Sequence, residues 1–184
     1  MSSLRTFAPW IIFAVVPQAY WQWAALAAVL VSVLELGIRF RQGSKPDALV
    51  IEFGTALFFL AMTVLAFVNP DTAVHPYVPA LANGMLTIIA GVSLAIGLPF
   101  TLPIAKQTAP EEVWDEPLFI RLNYVLTTAW TASFAIGAVT LAFLAHSPGP
   151  RFAVMVAVFV IPVVFTVRYV AHVQARAEAL GAPE

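Results

Sequence analysis

Phe53-Gly54-Thr55-Ala56-Leu57-Phe58-Phe59-Leu60-Ala61-Met62-Thr63-Val64-Leu65-Ala66-Phe67-Val68-Asn69-Pro70 carries no charge along its length. As a helix it reaches about 27 Å, close to the ~30 Å hydrocarbon core of a bilayer. Beyond it, only Asp71 interrupts the uncharged chain before Lys106. Leu122–Pro150 and Phe152–Val167 are uncharged as well. Runs of this kind read as membrane-spanning helices. The expected fold class is therefore all-α: a polytopic membrane helix bundle of about six segments, with a short N-terminal hairpin helix.

Composition points the same way. Of 184 residues, 61% are hydrophobic and 10% are charged, against about 25% charged in soluble domains. So few charges cannot cover a water-soluble fold of this size. The net charge of -1 gives no field for nucleic acid. With no cysteine, disulfides, thiolate metal sites, iron–sulfur clusters and cysteine nucleophiles are excluded. No small-residue cleavage motif follows Arg5, so no cleavable signal peptide is expected.

One transmembrane domain is expected over 1–184. Its helices are placed near Phe7–Val16, Trp21–Ile38, Leu49–Val68, Tyr77–Leu98, Leu118–Ala145 and Phe152–Ala171. Residues 99–117 form a cytoplasmic connecting stretch and 172–184 a tail, whose polar end Arg176–Glu184 is expected to fray. Pro17 splits the first apolar run, and Tyr20, Trp21 and Trp23 follow it. Proline breaks the helical ladder, and Tyr and Trp favour the headgroup level, so a hairpin is preferred. The alternative is one long helix kinked at Pro17. Under the hairpin reading Arg5, Arg39, Arg41, Lys45, Lys106, Arg121, Arg168 and Arg176 share one side, and Arg151 lies opposite. The positive-inside rule then puts both termini in the cytoplasm of a multi-pass inner-membrane protein.

Within the spans, small residues Ala80, Gly84, Gly91 and Ala95 predict close helix packing. Pro79 and Pro162 predict bends that neighbouring helices must satisfy. The segments after Pro46 and after Pro117 resemble each other, which admits a diverged repeat or a shared style of helix entry.

Intramembrane charge is costly, so each such residue needs a reason. Glu35 and Arg39, four apart, face each other on one helix. Glu52, Arg121, Asn123 and Arg168 fall at similar depth toward the same side. Glu35, Arg39, Glu52, Arg121, Asn123 and Arg168 thus make one candidate layer. It is either an ion-pair network with snorkelling arginines or a polar vestibule for an anionic headgroup or a proton. Asn83 is expected to bond across to a neighbouring helix. Asn83, Asn123 and Thr127 are also candidates for lining a water path. The other Ser and Thr residues can bond back to their own helices.

No catalytic set is readable, and no cofactor or metal is expected. His75 and His146 fall in turns and His172 near a helix end, which disfavours a bis-histidine haem. Glu111, Glu112, Asp115 and Glu116 read as a solvated entry to the next helix, with Trp114 as an interfacial anchor.

The order of features resembles the bacterial intracellular septation protein A family of small inner-membrane proteins. The resemblance rests on Ile38-Arg39-Phe40-Arg41, Val113-Trp114, Leu118-Phe119-Ile120-Arg121-Leu122-Asn123 and Trp130. The Pro99–Pro117 stretch is more elaborate than in that family's best-known members. The resemblance implies a non-enzymatic protein that supports envelope integrity or division through protein partners. It implies no catalytic residue. The other reading is a small transporter or channel for ions or an anionic or amphipathic ligand. Membrane lipids are the expected contacts, and a homo-oligomer is left open.

Overall fold

A computed structural model describes residues 3–43 and 49–179. Lys45, the segment Pro46–Ala48 and the last five residues lie outside the described residues, as does the side chain of Arg5. Among the described residues every regular element is helical. The helices are α1 (Ser3–Val15), α2 (Trp21–Arg41), α3 (Val50–Val68), α4 (Val78–Ala95), α5 (Thr101–Ala105), α6 (Pro117–Phe143) and α7 (Pro148–Ala179).

Five of them, α2, α3, α4, α6 and α7, are long and apolar enough to cross a membrane. The chain is thus an all-α, multi-pass membrane protein. Helix α1 is separate from α2 and packs beside it. Its length, roughly 20 Å, falls short of a full crossing. The chain breaks at Val16 and Pro17, and a single 3₁₀ turn (Gln18–Tyr20) leads into α2.

Successive helices pack on one another, and α4 and α6 make the most extensive contact. At the centre lies Phe59, fully buried with Phe58, Trp10, Leu86, Ile89, Phe134 and Val158 around it. Trp10 stacks on Phe58 (ring centroids 5.3 Å apart) and donates from Nε1 to Thr55 Oγ1 at 3.2 Å. A buried indole needs such a partner.

Two prolines behave differently. Pro79 sits in the first turn of α4, where no intrahelical donor is lost. Pro162 lies inside α7, so the carbonyl four residues earlier loses its normal donor. Ser133 of α6 supplies one, with Oγ donating to Val158 O at 2.8 Å. The neighbour predicted by the sequence is thus present. Helix α4 ends where Gly97 adopts φ +79°. Gly97 N bonds Leu94 O and Leu98 N bonds Ser93 O, the paired geometry of a glycine-terminated helix.

The structure revises the small-residue reading. A Cβ added at Gly84 or Gly91 meets nothing within 4 Å. The close approaches are elsewhere. At Gly54 a Cβ would come within 2.7 Å of Ile89 Cγ1, and at Gly137 within 2.6 Å of Val158 Cγ2. Several boundaries also shift by a few residues, and two shifts are larger. Residues 99–117 contain α5 and a 3₁₀ turn (Glu111–Val113), and α7 runs on to Ala179, past the expected end at Ala171.

Candidate functional site: an apolar cleft at one end of the bundle

The ion pair at the Arg39 end crosses between helices. Arg39 Nε of α2 meets Glu52 Oε1 of α3 at 2.9 Å, and Glu52 is only 7% exposed. Its first turn places Glu52 at the start of α3, where the helix N-terminus favours a carboxylate. Glu35 is half-buried on α2, whereas Arg121 and Arg168 are exposed. Long arginines near helix ends can reach the headgroup level.

Asn123 belongs to a different group. It is fully buried, and its Nδ2 donates to Phe119 O at 2.9 Å within α6. Thr101 of α5 donates from Oγ1 to Asn123 O at 2.9 Å and lies 2.9 Å from Thr127 Oγ1. Ser93 Oγ accepts from Phe100 N at 3.2 Å. These bonds tie the start of α5 to α4 and α6. Arg39 and Glu52 are joined, and Asn123 and Thr127 are joined through Thr101.

Asn83 departs from expectation. Its Nδ2 donates to Pro79 O at 2.9 Å, inside its own helix. Its Oδ1 is sealed from solvent without a hydrogen-bond partner and lies 3.0 Å from where a Gly137 Cβ would stand. Gly137 and Asn123 are separated by about 21 Å along α6, so Asn83 and Asn123 sit at different levels of the bundle. Most other hydroxyls bond back as predicted: Ser32, Thr63, Thr87, Thr128 and Thr131 each donate to a carbonyl four residues earlier. Trp114 is tied into its own loop. It bonds Ala109 O at 3.1 Å and carries Lys106 Nζ 5.0 Å above its ring.

The opposite end of the molecule holds the open space. Helix α1 packs on α2 and α7 packs on α6. Between α1 and α7, over one face of α4, lies a cleft of about 370 Å³. Its walls include Trp10 and Phe13 of α1, Val78 and Leu86 of α4, and Phe152 and Phe159 of α7. Trp21, at the first position of α2, closes one side with its ring 4.8 Å from that of His75. Trp21 is held by Nε1 donating to Pro70 O at 3.3 Å.

The cleft spans Val78 to Leu86 on α4 and Phe152 to Val160 on α7, about 12 Å on each helix. That depth lies within one leaflet of a ~30 Å core. On the α7 side its rim is open, with Phe152 68%, Val156 45% and Val160 50% exposed. Asn83 and His75 border it, and the rest of the wall is apolar or aromatic. Sequence patterning missed this site. A helical period shows which residues are apolar, not which two helices fail to meet.

No family model, no curated protein and no solved structure matches this chain.

Proposed function

We propose that this membrane protein binds the hydrocarbon part of an amphipathic molecule in the cleft between α1, α4 and α7. One observation carries the reading: an apolar, aromatic-walled space of about 370 Å³ that opens sideways between spanning helices. Its volume falls in the ~300–1,000 Å³ range of small-molecule sites. A cleft that faces hydrocarbon and is walled mainly by apolar and aromatic side chains favours hydrocarbon over water. A role in moving such a ligand across the membrane would use the same cleft. Both termini then lie in the cytoplasm, with the cleft in the outer leaflet, following the positive-inside bias.

The test is native mass spectrometry of the full chain, titrated with oleyl alcohol in a zwitterionic detergent. Saturable binding of one equivalent is expected, lost in the cleft-filling variant Ala14→Phe/Ala82→Phe. Binding that never saturates, or that ignores the filled cleft, would defeat the proposal.

A second reading is an envelope or division protein of the inner membrane, acting through protein partners. It is supported by the resemblance to the septation protein A family. The built platform at Thr101–Glu116 also favours it, with exposed Glu111, Glu112, Asp115 and Glu116 around the braced Trp114. Co-purification from cross-linked membranes tests it. A partner lost on Glu111→Lys/Glu112→Lys supports it. An unchanged set of partners counts against it.

A further inference from the structure

We infer that the cleft ligand is a single-chain amphiphile with an anionic headgroup, recognised by the charge of Arg151. This rests on the cleft reading above and adds the chemistry of the head. Arg151 opens the α6–α7 corner and stands beside the cleft on two sides. Its chain neighbour Phe152 lines the wall, and its Nη1 lies 3.5 Å from Pro76 O, next to His75 in the same wall. Nη1 also donates to Ala145 O at 3.0 Å, which braces the end of α6. These carbonyls hold the side chain between the 69–77 turn and the end of α6, one residue outside the cleft wall at Phe152. The planar fork of guanidinium donors matches a carboxylate well.

The sign follows from Arg151 being the cation that stands next to the cleft. The turns at this end, 16–20, 69–77 and 144–151, hold Arg151 as their only Lys or Arg and Asp71 as their only acid. Asp71 is exposed. A polar head at this level and an apolar shaft about 12 Å deep orient one molecule, head at Arg151 and tail toward Leu86. The volume and one-leaflet depth suit one chain. A fatty-acid carboxylate fits both demands.

The experiment compares oleate, oleyl alcohol, oleylamine and dioleoyl phosphatidylglycerol on the full chain at pH 8, each by native mass spectrometry. Oleate is expected to bind at least tenfold more tightly than the alcohol, with the amine weakest. Arg151→Gln should bring oleate to the level of the alcohol, and Arg151→Lys should keep part of the preference. If Arg151→Gln does not fold, the wild-type ratio alone decides. Equal affinities for oleate and alcohol, both abolished by Ala14→Phe/Ala82→Phe, would overturn the headgroup inference and leave the cleft reading standing. Phosphatidylglycerol matching oleate would overturn the single-chain assignment. Saturable binding of none would remove both readings.

Discussion

Ser133 carries one consequence of a proline twenty-nine positions away. Pro162 leaves the Val158 carbonyl without its helical donor, and Ser133 Oγ fills the place at 2.8 Å. Ser133→Ala should therefore cost about 0.6–1.7 kcal/mol, the span measured for such bonds in membranes. In a Pro162→Ala background, where the backbone donor returns, the same change should cost clearly less. A double-mutant cycle by unfolding in mixed micelles reads this directly. One turn further along α6, Gly137→Ala would push a Cβ into Val158 and the Asn83 amide. Overpacking of that kind costs about 1–3 kcal/mol. Gly84→Ala and Gly91→Ala meet open space and should leave the stability of the monomer unchanged or slightly raised, given the better helix propensity of Ala. A loss of stability in those two would show that another molecule covers that face.

Between elements, the ion pair of α2 and α3 picks out one pairing from the layer that the sequence offered. Spacing placed Glu35 with Arg39 and aligned Glu52 with Arg121. The folded chain instead puts Arg39 2.9 Å from Glu52. Glu52→Gln and Arg39→Gln should each destabilise the protein, and the double change should cost less than their sum. Because Arg39 keeps 24% exposure, each loss should fall below the ~3–5 kcal/mol of a fully buried pair. Purely additive losses in thermal melts would show that the pair contributes no coupling. The pairing was illegible beforehand because i,i+4 geometry is local, whereas the approach of α2 to α3 depends on the packing of both.

At the scale of the whole molecule, helices joined by short turns alternate in direction. Fusion reporters at Ser2 and Ala182 should accordingly report the same, cytoplasmic side. Opposite signals would break the α1–α2 hairpin as a membrane topology. Helix α1 also explains where the cleft lies. It ends level with the start of α2, and its aromatic residues Trp10 and Phe13 face a gap that α7 does not close. The cleft is thus a product of three helices whose spacing no single stretch encodes.

Uncharged runs of bilayer length settle fold class and the long spanning helices from sequence alone, though not the short α5, because lipid punishes charge and unpaired backbone wherever they occur along the chain. The Pro17 break, the Pro162 defect and the self-bonded hydroxyls are equally local, and they too could be read in advance. The partner of Glu52, the sealed amide of Asn83, the glycines at real contacts and the cleft belong to tertiary structure. Each depends on which faces of distant helices meet, and helix association in lipid is decided by shape and spacing rather than by any hydrophobic pattern.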